Sequence, residues 1–375
     1  MSDSFKNIRY GEIILPDNIH VAAGREMNLW WSTAAVYEEG DRSVYFEVKC
    51  DIGINSTRGF IVKATPEMIG VHDLTIRSRD LHTRNILSEK KAKLHVVDPT
   101  SGEGQKNILM IGDSRTWHSL VGVQGLSAED KGNKTTTTEV KSLLETYRGA
   151  DFHFVGSMVS GIDKSVRNLA ENGWRYVEAI NTIEASGGIV PYVEDTCGEG
   201  KGARLDYVTV MYGMNDYADW HQNNLDQYDL SFAKIDHIVG TARKLVDLIL
   251  EGYPDCRIVL ILESSTCGNQ DGFAYWWNKS TNDCQTDWEY ALKELRKAII
   301  KAFDNGAYTK NLTISTAGLW CDRIYAFPYV YTAPSERTPD ERVFRLINCA
   351  HPHDNGYKQI ADGDFSTIKY LESLN

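Results

Sequence analysis

The sequence predicts an α/β domain built on a five-stranded parallel sheet, preceded by a small all-β sandwich. Three observations lead there. Up to about residue 98 short segments alternate apolar and polar residues with period two. Beyond it, five apolar runs alternate with helix-period patterns. Between the two rhythms lies a polar stretch holding proline and two glycines.

The chain has 375 residues, a length that suits two domains better than one. Hydrophobic residues make up 42% and charged residues 25%, the balance of an ordinary globular protein, which excludes wholesale disorder. A net charge of −12 and the lack of a basic run exclude a nucleic-acid partner. No apolar stretch reaches 18 residues, so no membrane span or membrane partner is expected. The opening Met1-Ser2-Asp3-Ser4-Phe5-Lys6 lacks the apolar core of a secretory signal. That suits a cytoplasmic or phage-virion protein, or a secreted one whose signal has been removed. Seven cysteines without a Cys-x-x-Cys pair argue for reduced thiols and against structural zinc. Cys267 and Cys284, flanking one loop, are the only pair worth checking for a bridge.

Residues 1–98 contain Ser43-Val44-Tyr45-Phe46-Glu47-Val48, Gly59–Ala64, His72–Arg77 and Ala92–Val97. Period-two alternation between turn residues reads as an Ig-like β-sandwich. Residues 99–106 read as a linker. In 107–375 the strand candidates are Asn107–Ile111, Phe152–Val155, Tyr207–Met211, Arg257–Leu262 and Leu312–Ser315. Helical patterns fall at Thr138–Arg148, Trp174–Ala185, Leu230–Glu251, Asp287–Phe303 and Gly356–Leu374. Strand–helix alternation predicts a parallel sheet covered on both faces, with chemistry just beyond the carboxyl ends of the strands.

Three segments meet that requirement. Ile108–Ile111 runs into Gly112-Asp113-Ser114, placing a serine hydroxyl at a strand end, where a base would make it a nucleophile. Gly, Asp and Ser are also ordinary turn and cap residues, so the tripeptide by itself decides little. Val208–Met211 runs into Gly213-Met214-Asn215-Asp216, whose asparagine amide can donate to a developing oxyanion. His351, in Ala350-His351-Pro352-His353, lies on a loop before the last helix and can act as the base. His351 and His353 are two residues apart, but no third ligand stands near them for a catalytic metal.

Taken together, Gly112-Asp113-Ser114, Gly213-x-Asn215-Asp216 and His351-Pro352 resemble the SGNH hydrolase superfamily, the GDSL-type esterases, over about residues 107–375. The resemblance implies a three-layer α/β/α, flavodoxin-like domain. It also implies a serine esterase needing no metal or organic cofactor. Ser114 would be the nucleophile and His351 its base, with the oxyanion held by the backbone of Ser114 and Gly173 and by Asn215. Gly173, in Asn172-Gly173-Trp174, looks like the Gly-Trp block of carbohydrate-active members; Gly156 is the alternative. Members usually carry an aspartate three residues before the histidine. Here Asn348 stands there, so either Asn348 or a backbone carbonyl orients His351, or the triad is effectively a dyad.

Aromatic residues cluster after the strand ends. Trp117, Trp174, Tyr217, Trp276 and Trp277 are candidates for stacking on sugar rings, with Phe273, Tyr275, Trp220 and Trp288 nearby. Arg115 and Arg175 suit either an acidic sugar or neighbouring carboxylates. The segment Asn348–Asp362 looks like that of carbohydrate deacetylases with an added β-sandwich, which implies removal of O-acetyl groups from a polysaccharide by a bacterial or phage esterase. The alternative is a non-catalytic glycan-binding or virion structural protein on the same fold. The sequence leaves the oligomeric state open.

Overall fold

The computed structural model describes residues 9–38, 40–117, 135–159, 163–217, 231–276, 285–306, 308 and 310–374. The N-terminal part contains β1 (Asn18–Ala22), β2 (Glu26–Trp30), α1 (Trp31–Ala34), β3 (Val44–Lys49), β4 (Ile54–Asn55), β5 (Gly59–Lys63), β6 (Gly70–Asp80) and β7 (Ile86–Val97). These strands form two sheets, ordered β1-β7-β6-β3 and β2-β5-β4. Alternation sets their inner faces: Val44 and Phe46, Leu74 and Ile76, and Ala92 and Leu94 are buried, while the residues between them are not. Trp31 stacks on Phe46 with ring centroids 4.5 Å apart. The pairing of β1 with β7 is parallel, a long-range match that short-range alternation does not announce.

The second part begins with β8 at Gln105, so the last two residues of the expected linker already belong to a strand. After β8 (Gln105–Gly112) come α2 (Thr136–Tyr147), β9 (Asp151–Val155), β10 (Met158–Val159), β11 (Arg167–Ala170), α3 (Tyr176–Ala185) and α4 (Ile189–Thr196). Next are β12 (Tyr207–Met211), α5 (Met214–Tyr217), α6 (Phe232–Gly252), β13 (Arg257–Ile261), α7 (Gln270–Trp276), α8 (Gln285–Phe303) and β14 (Leu312–Ser315). A hairpin of β15 (Tyr329–Thr332) and β16 (Val343–Leu346) precedes α9 (Asp354–Glu372).

All five expected runs are strands, but the sheet has seven, in the order β10-β11-β8-β12-β13-β14 with β9 also on β8. The surplus arises where the chain turns at Gly156. β9 pairs with the first half of β8 (Gln105–Leu109), and β11 returns to pair with its last two residues, Ile111 and Gly112. Two short strands thus share the edge expected for one. β8 and β12 are central, and their apolar residues are buried throughout, as parallel strands covered on both faces require. Helix α2 packs with α9, while α6 packs against both α3 and α8.

The two parts share one hydrophobic core. The indole N–H of Trp30 donates to the Trp320 carbonyl (2.8 Å), Thr33 Oγ1 to the Leu319 carbonyl (2.7 Å) and the Ala22 N–H to Ser366 Oγ (2.9 Å). Arg58 grips Asp322 with both terminal nitrogens. Among the described residues no helix is long and apolar enough to cross a membrane.

Candidate active site

Strand β8 ends at Gly112, and the next residues close a turn in which Thr116 and Trp117 N–H donate to the Asp113 carbonyl. Glycine is needed there because a β-carbon at 112 would come within 2.1 Å of Thr116 Oγ1. The turn lifts Ser114 to the carboxyl edge of the sheet. Its Oγ lies 2.7 Å from His351 Nε2, joining residues 237 apart in the chain. Both side chains are nearly buried. Burial, reinforced by the nearby Arg115 charge and opposed by Asp113, pushes His351 down to about 4. The imidazole is therefore neutral near pH 7, the form that accepts a proton.

The loop that presents His351 is held from both sides. Asn348 is fully buried, and its Oδ1 accepts the backbone N–H groups of Ala350 (2.9 Å) and His351 (2.8 Å). Asn348 thus acts on the histidine through its main chain. His353 is the N-cap of α9: Nδ1 accepts the Asn355 N–H at 3.1 Å and Nε2 faces the Tyr325 carbonyl at 2.8 Å. That use of both ring nitrogens explains the second histidine without a metal.

The oxyanion candidates converge on the same edge. Ala170, the last residue of β11, is in register with Gly112. The following turn holds Gly173 in a left-handed conformation (φ +77°) and leads into Trp174. Asn215 Nδ2 donates to the Trp174 carbonyl and to Asp113 Oδ2, each at 3.2 Å. Asn215 therefore ties the Gly173-Trp174 turn to the nucleophile turn. Gly156 follows β9, whose register with β8 ends at Leu109, and so sits further from the serine end of that strand.

Beneath Ser114 lies a buried ionic group that the sequence reading did not assemble. Arg115, 2% exposed, donates its backbone N–H to Asp113 Oδ1 (2.9 Å) and its guanidinium to Asp113 Oδ2 (3.0 Å) and Ser264 Oγ (2.5 Å). The same guanidinium pairs with Glu263, two residues beyond β13. Burial raises the Glu263 carboxyl, and Arg115 opposes that shift. The sign in the sequence was a carboxylate just past a strand end, the same kind of position that carries Ser114 and Asn215.

The match to known families now has a geometric counterpart. Residues 108–363 match the GDSL-like Lipase/Acylhydrolase family. The chain belongs to this family. Among solved structures, it is similar to a family 3 carbohydrate esterase from Talaromyces cellulolyticus, with 15% identity over 72% of this chain and 99% of that one (TM-score 0.40). A family 3 carbohydrate esterase from Clostridium thermocellum has 18% identity over 72% and 98% (TM-score 0.39). An acetyl xylan esterase variant from Geobacillus stearothermophilus has 18% identity over 72% and 96% (TM-score 0.38). Curated protein sequences yield no significant match.

In this GDSL-like acylhydrolase the expected sugar-binding residues separate. Trp117 and Trp174 are half-buried beside the nucleophile and Gly173 turns. Tyr217 is not available to a substrate. It is buried, its hydroxyl donates to the Ala291 carbonyl (2.8 Å), and its ring meets Trp288 edge-on, because α5 turns inward onto α8. Phe273 and Trp288 are likewise core residues. Trp220, Trp277 and the side chain of Trp276 lie outside the described residues. Arg115 and Arg175 both pair with carboxylates, Arg115 with Asp113 and Glu263, Arg175 with Glu178. Cys267 is a free thiol, and Cys284 lies outside the described residues.

Tyr275 is 38% exposed, and further aromatic exposure appears on the hairpin leading into the histidine loop and at Tyr325 just before it. Tyr325, Tyr329 and Tyr331 are 63%, 44% and 62% exposed and gather around Phe344, with centroids 4.9–6.1 Å from its ring. The lone signal in the sequence was Tyr329-Val330-Tyr331, a pair of rings two residues apart and so on one strand face.

Proposed function

We propose that this acylhydrolase is a serine esterase that removes O-acetyl groups from a polysaccharide through an acyl-serine intermediate. The observation that carries the reading is the 2.7 Å contact between Ser114 Oγ and His351 Nε2, with a neutral imidazole. Ser114 Oγ attacks the ester carbonyl carbon as its proton passes to Nε2. Negative charge on the carbonyl oxygen is met by the backbone N–H groups of Ser114 and Gly173 and by the Asn215 amide. The long Trp174 contact of that amide is the one an oxyanion replaces. Collapse breaks the C–O bond to the sugar, whose oxygen takes the proton from His351. Water then attacks the acyl-serine, again giving its proton to His351; the bond to Ser114 Oγ breaks, Oγ takes that proton back, and acetic acid leaves, ionising to acetate.

Two features favour an acetyl group on a sugar. Ser114 and His351 are nearly enclosed, which suits a small acyl group. The tyrosines beside the histidine loop offer exposed faces of the kind that stack on pyranose rings. The test is turnover of p-nitrophenyl acetate and release of acetate from acetylated glycans by wild type and Ser114→Ala. Loss of both activities in the variant is expected. Equal rates would remove Ser114 as nucleophile, and an inactive wild type that still binds glycan would make the protein a glycan-binding one.

A further inference from the structure

Three turns must keep their spacing for this site to work: the one carrying Ser114, the one carrying Asn215, and the segment after β13. One buried side chain touches all three. Glu263 pairs with Arg115, which holds Asp113 of the nucleophile turn through both its backbone and its guanidinium. On its other side Glu263 lies against the asparagine turn. A β-carbon on Gly213 would come within 3.2 Å of Glu263 Cγ. Its own carbonyl is fixed by Arg296 Nε at 2.8 Å. Arg115 also reaches Ser264 Oγ, and Asp113 Oδ2 accepts the amide of Asn215. Asp113, Arg115 and Glu263 are all at most 3% exposed, so water screens the group little.

We infer that Glu263 is a positioning residue: with Arg115 it clamps the nucleophile turn to the asparagine turn and so sets where the Asn215 amide stands relative to Ser114. The inference rests on the esterase reading above. The side chain touches no reacting atom. Its effect passes through Asp113 to the oxyanion donor, a contact that matters more in the transition state than in the ground state. The guanidinium holds Asp113 by a hydrogen bond and Glu263 by a close ion pair, so it fixes the distance between two carboxylates that no single hydrogen bond would span.

The test is the kinetics of Glu263→Gln on p-nitrophenyl acetate, with active sites counted by diisopropyl fluorophosphate labelling of Ser114. The expected result is a kcat about tenfold to a hundredfold lower, below the direct loss of an oxyanion donor, with KM within about twofold. In an Asn215→Ala background the same substitution should add almost nothing, because the group it positions is gone. A wild-type kcat in Glu263→Gln, or a full multiplicative loss on top of Asn215→Ala, overturns the inference. If Glu263→Gln does not fold, Ser264→Ala removes one Arg115 acceptor more gently. It should lower kcat about twofold to fivefold, and a wild-type value overturns the inference. A wild type that neither turns over the ester nor is labelled at Ser114 sinks the esterase reading itself. A wild type that does both beside an unimpaired Glu263→Gln sinks the clamp alone.

Discussion

The carboxamide oxygen of Asn348 accepts the backbone N–H of His351 at 2.8 Å, and that of Ala350 at 2.9 Å. The residue in the place usual for a triad acid thus folds the loop that aims the base. Removing that acceptor leaves one buried and one half-buried N–H unmet and slackens the loop. Asn348→Ala is expected to cost about 1–3 kcal/mol of stability and to lower kcat more than it raises KM. Asn348→Asp keeps the acceptor and should hold kcat near wild type or above. Denaturant melts and steady-state kinetics read both, and a wild-type kcat in Asn348→Ala would show that the loop is aimed by other contacts.

In the proposed mechanism His351 accepts a proton, which its ring can do only when neutral. With His351 held down to about 4, kcat/KM should rise with pH through about 4 and be flat from about 6 to 8. A pH–rate profile with p-nitrophenyl acetate checks this. A midpoint near 6.5, the ordinary value for histidine, would mean that the working ring is solvated.

The tyrosines on the hairpin should matter to a polymer and not to a small ester. Tyr331→Ala, at 62% exposure, removes a ring without opening the core. Loss of one stacking contact worth about 1 kcal/mol predicts a KM about fivefold higher on an acetylated polysaccharide. The p-nitrophenyl acetate constants should stay unchanged. Equal effects on the two substrates would place the ring's role in folding.

Asp364 in α9 is fully buried, and neither oxygen has a hydrogen-bond partner among the described residues. Burial pushes it up to about 8, so it is neutral in the native state at pH 7. Because the folded pKa is raised, its contribution is fully present below about pH 4 and is lost as pH rises through about 8. Asp364→Asn should therefore gain on wild type by about 2 kcal/mol between pH 6 and 8, seen as a widening Tm difference. A constant difference across that range would show the carboxyl to be solvated.

The elements of the second part were legible because each parallel strand is a run of buried apolar residues and each long helix repeats with the helical period. Tyr207–Met211 and Leu312–Ser315 are strands with the expected bounds. Helix α4 was not legible, since Pro191 breaks the pattern although a first-turn proline is tolerated. The hairpin was hidden by its short strands. For the site, the serine and asparagine were readable as strand-end residues and the histidine as a loop residue before the last helix. Tyr217 looked like their neighbour, yet its ring points into the core.

The Gly-Asp-Ser turn, the Gly-x-Asn-Asp turn and the histidine loop are local statements, and the sequence by itself determined them along with the family. The tertiary structure decided how they meet. Ser114 reaches His351 across 237 residues, Asn215 spans two turns, and Arg115 abandons solvent for Asp113 and Glu263. Spacing along the chain specifies which strand end carries a group. The direction of a side chain is set by what packs against it, and those neighbours come from distant segments.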